Sequence, residues 1–152
     1  MDDKLIWQIK HYSELSLNDF HDLIALRIKV FVVEQNCPYQ ELDGKDKKAF
    51  HLIGKSVEGE TLGTLRILPP GVSYSEASIG RVVIDEKVRG QKLGHLMMKK
   101  ALTFIENKFE ENNVRISGQK YLKKFYEDLN FVDVGKEYLE DGIPHLEMVL
   151  KR

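Results

Sequence analysis

Apolar positions change period along the chain, and the period predicts the elements. Ile79, Val82, Val83 and Ile84 form a short β-branched run, while Leu93, Leu96, Met97, Ala101, Leu102, Phe104 and Ile105 recur at helical spacing. A buried strand, a turn and an amphipathic helix are therefore predicted over residues 78–109. Upstream, residues 5–9 read as a first strand, and Ser16 or Asn18 can cap a helix with Phe20, Leu23, Ile24, Ile28 and Phe31 on one face. Crowded β-branched residues at Val30, Val32 and Val33 weaken its end. Residues 34–48 form a polar loop with Pro38 and Gly44 as breakers. Residues 50–57 and 61–68 read as a hairpin, stopped by Pro69-Pro70-Gly71. Further on come a strand at 114–117, a short helix at 121–129 with Leu122, Phe125 and Leu129 inward, and strands at 131–134 and 145–150. Strands alternating with helices in the middle, with hairpins at either end, predict one α/β domain over 1–152 with a mixed sheet.

The turn before the long helix carries chemistry. Arg89-Gly90-Gln91-Lys92-Leu93-Gly94 offers no Ser, Thr, Asp or Asn at the expected helix start, so the first amides are left without an acceptor. Gly90 and Gly94 leave the backbone open, and Arg89 and Lys92 put positive charge at the positive end of the helix dipole. A phosphate or pyrophosphate would answer the amides, the dipole and both cations, although a purely structural glycine turn has the same local pattern. A P-loop requires Ser or Thr after its GK, and a dinucleotide fingerprint requires GxGxxG with an acidic residue after the second strand. Neither is present, since Glu110 and Glu111 fall in the polar tail of the helix.

Arg89 to Gly94 resembles the acyl-CoA pyrophosphate loop of the GNAT superfamily of N-acyltransferases: Arg or Gln, two residues, Gly, one residue, then Gly or Ala. Lys92 stands where the middle glycine is usual. Four further stretches, FVVEQNCPYQELDGKD, IGRVVI, YLKKFYEDLNF and EDGIPH, resemble the ElaA-like branch, whose loop also carries a lysine there. The resemblance implies a mostly antiparallel sheet in which two central parallel strands splay apart, flanked by helices. It also implies acetyl-CoA as co-substrate, its phosphates on Arg89, Gly90, Gln91, Lys92, Leu93 and Gly94 and its pantetheine along Val82, Val83 and Ile84. Tyr126 matches the family's helix tyrosine, a general acid for the departing thiolate, although packing alone would also suit it. Val82 or Val83 would supply the oxyanion donor. Gln119 would bond the pantetheine or cap the next helix.

Charge narrows the partners. Lys plus Arg is 23 and Asp plus Glu is 24, so the net charge is −1, and no global field favours nucleic acid or an anionic membrane. One cysteine, Cys37, forms no internal disulfide. Met1 to Lys4 does not read as a signal sequence and no apolar run reaches a membrane span, so a cytoplasmic protein is expected. The five histidines and single cysteine show no HxxxH or CxxC spacing, so no metal is expected. Arg66 and Arg81 each interrupt an apolar strand and call for a carboxylate, solvent or a ligand.

Acyl transfer to an amine needs a neutral amine, a stabilised oxyanion and a proton for the leaving thiolate. Glu34, His51 and His145 are the candidate bases. Glu34, Glu41 and Asp43 are expected to wall the acceptor end, with Asp141 and His145 closing the far side, which favours a positively charged primary amine, small molecule or peptide. The polar loop could equally be a solvated edge. Two other classes stay open: a thiol enzyme using Cys37 as acyl-accepting nucleophile, and a non-catalytic acyl-CoA sensor. Oligomeric state is left open, a homodimer included.

Overall fold

Residues 5–110 and 112–152 are described by the structure, a computed structural model; Met1 to Lys4 and Glu111 lie outside the described residues. Strand β1 (Ile6–His11) leads to helix α1 (Leu17–Ile28), whose Ser16 cap accepts from the Asp19 amide at 3.0 Å. Strands β2 (Phe50–Lys55), β3 (Thr61–Leu68) and β4 (Ser78–Ile84) follow, then helix α2 (Leu93–Lys108). The chain ends with β5 (Val114–Gln119), the short α3 (Lys123–Glu127), β6 (Val132–Glu140) and β7 (Ile143–Leu150).

The strands form two antiparallel sheets, β1-β2-β3-β4 and β5-β7-β6. Among the described residues their main-chain pairing is one parallel bridge between Ala77 and Val114, in which the Arg115 amide donates to the Ala77 carbonyl at 2.9 Å. Beyond it β4 and β5 run side by side without pairing, which is the expected splay. The mixed sheet is thus two antiparallel sheets joined at a parallel seam. One core fills the space between, built from Leu52, Leu65, Ile67 and Ile79 on the first sheet, Ile116, Leu146 and Met148 on the second, and Met97, Met98, Ala101 and Ile105 of α2.

Several boundaries and faces differ from the sequence reading. On α1 the buried residues include Leu23, Leu26 and Arg27, whereas Ile28 is 38% exposed. An arginine occupies the inner stripe because it meets carboxylates there. Leu96 is likewise exposed, and Met98 takes the inward place. The predicted helix at 121–129 is a tight turn over Lys120–Leu122 followed by the five residues of α3, with Tyr126 buried and Tyr121 exposed. Strand β6 runs nine residues rather than stopping at Val134. It is a mostly exposed edge, interrupted by a register shift near Gly135, and its polar residues hid the pattern. Asp141 and Gly142, both at positive φ, make the tight turn to β7. Pro144 sits inside β7 without harm, because β5 ends at Gln119 opposite His145 and needs no amide from it.

Candidate active site

The splay opens into a cleft of about 690 Å³ lined from β4, β5, β7, α3 and the loop after α1. Its main-chain wall is set by an irregularity in β4. Thr64 pairs with Val83 but Arg66 pairs with Gly80, so Leu65 faces both Arg81 and Val82 across a bulge, with Arg81 at φ 52°. Alternation then reverses phase. Ala77 turns its carbonyl to β5, whereas the Asp85 amide donates to Leu62 of β3 at 2.8 Å and the Ile84 carbonyl accepts from Arg89 at 3.0 Å. Counting back in twos, Val82 and Ile84 face the cleft with their main-chain groups and Val83 faces β3. Of the two candidate oxyanion donors, Val83 is therefore committed to the sheet and Val82 is left.

At the cradle, α2 begins after Lys92 with no side-chain cap, as its sequence requires. Gly90 (φ +84°) and Lys92 (φ 61°) both sit in the left-handed region. That conformation explains why glycine is usual at the lysine's place: a Cβ there costs about 1–2 kcal/mol. The two cations differ. Arg89 forms a two-pronged pair with Glu34 at 2.6 and 3.0 Å, and its Nε holds the Ile84 carbonyl. Arg89 is thus not a free cation. The hydrogen bonds and charge of Arg89 hold the Glu34 carboxyl below its ordinary range. Glu34 is therefore paired at the phosphate end rather than free beside an acceptor, and a carboxyl held this low is a weak base.

Tyr126 lies against the cleft floor, 7% exposed, its ring over Gly118. A Cβ on Gly118 would come 2.7 Å from the ring, so only glycine leaves it room. Its hydroxyl takes no hydrogen bond from the protein among the described residues, and burial pushes its pKa up to about 12. It stays protonated at neutral pH. Gln119 also lines the cleft; its side chain does not cap the turn that follows but donates to Gln35 at 3.5 Å.

The polar loop is no solvated edge, and its carboxylates are not free. Glu41 accepts from Arg27 Nε at 2.5 Å and from Arg81 Nε at 3.0 Å, and Tyr39 donates to its other oxygen. Asp43 takes two bonds from Arg66 at 2.8 and 2.7 Å, and Asp46 pairs with Arg27 at 2.8 Å and Arg66 at 3.2 Å. Burial works to raise the Asp43 and Asp46 carboxyls, but the arginines more than offset it and both lie below the ordinary range. Three carboxylates face three arginines, so the expectation that Glu41 and Asp43 polarise the acceptor end fails on neutralisation. Arg27 was invisible in sequence. Arg66 and Arg81 meet the carboxylates that their burial demands.

The two histidines separate cleanly. His51 is fully buried, its Nε2 bonded to the Asp46 carbonyl at 3.1 Å, and burial lowers its pKa. It does not line the cleft, which removes it as a base for an acceptor there. His145 does line the cleft. Its Nδ1 is 2.8 Å from the Ile143 carbonyl, which only accepts, so Nδ1 carries the proton and Nε2 presents a lone pair. Asp141 lies in the adjoining turn, its carbonyl accepting from the Cys37 thiol at 3.5 Å. The thiol has no basic partner among the described residues. No group of three or more potential metal ligands occurs among them either, and no described helix is long and apolar enough to cross a membrane.

Comparison with known proteins gives consistent matches. The family model described as an acetyltransferase (GNAT) domain matches residues 10–152. Protein ElaA of Escherichia coli strain K12 is 40% identical over 144 residues, 93% of this chain and 94% of that protein. Among solved structures, an acyl-CoA N-acyltransferase from Pseudomonas aeruginosa superposes with a TM-score of 0.91 at 42% identity, covering 96% of this chain and 99% of that one. Escherichia coli ElaA superposes at 0.89 with 38% identity, covering 97% and 99%.

Proposed function

Since the chain belongs to the GNAT acetyltransferase family, we propose that it moves an acetyl group from acetyl-CoA to a primary amine by direct attack within a ternary complex. One observation carries the reading: the unpaired edge of β4, turned to the cleft by the bulge at Arg81, lies in the same cleft as Tyr126. Val82 and Ile84 offer the pantetheine arm a strand edge to pair with, and the uncapped start of α2 offers amides to the pyrophosphate.

The steps follow from the groups present. The acceptor ammonium gives a proton to His145 Nε2, and the free amine attacks the thioester carbonyl. The carbonyl oxygen becomes an oxyanion, held by the Val82 amide. As the intermediate collapses, the C–S bond breaks, the sulfur takes a proton from Tyr126, and the attached nitrogen loses its second proton to solvent, from which the phenol is restored. With its pKa near 12 against about 8.5 for a thiol, the phenol yields its proton only as negative charge builds on sulfur. It acts mainly as a hydrogen-bond donor to the transition state. The unactivated Cys37 thiol supports direct attack over a covalent enzyme intermediate.

Thiol release from acetyl-CoA over a panel of amines, peptides and aminoglycosides tests this. Amine-dependent release, with an acetylated amine formed in equal amount, is expected. Binding of acetyl-CoA without release under any acceptor would leave a sensor.

A further inference from the structure

We propose that Glu140 is the carboxylate that holds the acceptor's ammonium group against Nε2 of His145. The chemistry rests on the acyltransferase reading; the binding site itself does not.

Most carboxylates in and behind the cleft already have a cationic partner. Glu34 is paired with Arg89, and Asp43 with Arg66 and Arg81, while Glu41 and Asp46 behind them are paired with Arg27. On β7, two residues beyond His145, Glu147 is taken by Arg115 at 2.6 Å and Lys136 at 3.4 Å. Glu140 has no arginine or lysine partner among the described residues. Its contacts are the Ser117 hydroxyl at 3.5 Å and His145 Nε2 at 3.9 Å. It lines the cleft with its side chain 46% exposed, open to an incoming cation.

Its setting is built rather than accidental. Tyr138 pairs with His145 across the β6–β7 hairpin and His145 with Gln119 across β5–β7, so Tyr138, His145 and Gln119 share one sheet face, and Glu140 follows two residues on. The Tyr138 and His145 rings stack at 6.1 Å, and the Tyr138 hydroxyl is bonded to Ser117. These contacts fix the imidazole plane while the Ile143 carbonyl fixes its tautomer. Two acceptors 3.9 Å apart can both lie about 2.8 Å from one ammonium nitrogen. The nitrogen would then sit between a fixed negative charge and the lone pair that takes its proton. The same carboxylate stabilises the imidazolium formed.

The groups facing His145 are Tyr138 and Glu140 of β6, Ser117 and Gln119 of β5, Glu147 on its own strand and Asp141 in the turn. Tyr74, in the segment before β4, feels the charges of Glu140 and Glu147, and burial with those neighbours raises it to about 12. Among these, Glu140 and Asp141 are the carboxylates without a cationic partner, so both enter the test.

The probe is n-butylammonium chloride, titrated against the full chain with CoA bound, with sodium chloride as control and the His145 ring followed by NMR. Parent protein is expected to show a saturable shift, Glu140→Gln to weaken it by about tenfold, as for one lost charge-assisted hydrogen bond. Glu140→Asp should restore part of the affinity and Asp141→Asn should weaken it less than Glu140→Gln does. Acetyl-CoA affinity should stay within about twofold, because the cradle is untouched. Equal butylammonium affinity in parent and Glu140→Gln overturns the proposal, as does a loss confined to Asp141→Asn, or no saturable shift in the parent. A Glu140-dependent site in a protein that releases no thiol would instead remove the acyltransferase reading and leave the ammonium site standing.

Discussion

Gly118→Ala tests whether the position of Tyr126, rather than its presence, sets the rate. The added methyl would lie 2.7 Å from Cε2 and 3.0 Å from Cδ2 of the ring, where carbon atoms normally rest about 3.5–4.0 Å apart. Something must move by about 1 Å. β5 is pinned on one side by its full pairing with β7, from Val114 with Leu150 to Gln119 with His145, so the ring yields rather than the strand. Overpacking of this size costs about 1–3 kcal/mol, or about 2–12 °C in Tm for a chain of this length. The hydroxyl is carried off its line to the sulfur, and a misplacement near 1 Å costs about 100-fold in rate. Acetyl-CoA affinity should change little, because Gly118 does not belong to the cradle. Thiol release at saturating acetyl-CoA, calorimetric affinity and thermal unfolding read the three quantities separately. A variant that loses its few degrees of Tm yet keeps the parental kcat would refute the argument, since the ring could then shift without consequence.

Other outcomes follow from the same contacts. Lys92→Glu keeps an L-residue at the same left-handed position but reverses the cradle's free charge, so acetyl-CoA affinity by calorimetry should fall about 10- to 100-fold with Tm unchanged. Glu34→Gln releases Arg89 from a competing carboxylate and should tighten acetyl-CoA by about two- to fivefold, the scale of an exposed ion pair, while leaving the acceptor KM alone. Acid should destabilise the fold: Asp43 and Asp46 are held below their unfolded range near 4, so their contribution is complete above that and is lost as pH falls through the lowered values. His51 adds a slope of the same sign below about pH 6.5, where the unfolded chain takes a proton that the buried ring resists. Urea midpoints from neutral to acid pH should show both, and His51→Gln, which keeps a donor for the Asp46 carbonyl, should flatten the upper limb.

Element types were legible because their hydrophobic periods are strong: every predicted strand and helix has a counterpart, and the bare start of α2 followed from a missing cap residue. The charge network was not legible, for a physical reason. Glu41, Asp43 and Asp46 look like a solvated acidic loop until Arg27 is seen on the inner face of α1, and a polar residue there breaks no local rule strongly enough to announce itself. The bulge at Arg81 is similarly hidden, since one residue of extra length in a strand leaves the composition unchanged. It decides nonetheless that Val82, not Val83, faces the cleft. Glu140, which falls between the strands read at 131–134 and 145–150, belongs to β6, an edge strand whose polar positions obscure its length. The signal available was Arg66 and Arg81 themselves: two arginines in apolar strands required carboxylate partners, and the nearest acidic run was the loop assigned to the acceptor.

The central claim is direct attack in a ternary complex with Tyr126 helping the thiolate leave. Initial rates over a matrix of acetyl-CoA and amine concentrations, for the parent and for Tyr126→Phe, address it most directly when joined to intact-protein mass after acetyl-CoA alone. The account predicts intersecting double-reciprocal lines, no acetyl adduct on the protein, and a kcat about 10²- to 10⁴-fold lower in Tyr126→Phe with acetyl-CoA affinity retained. Parallel lines with an acetyl group on Cys37, or a Tyr126→Phe rate within a few-fold of the parent's, would contradict it.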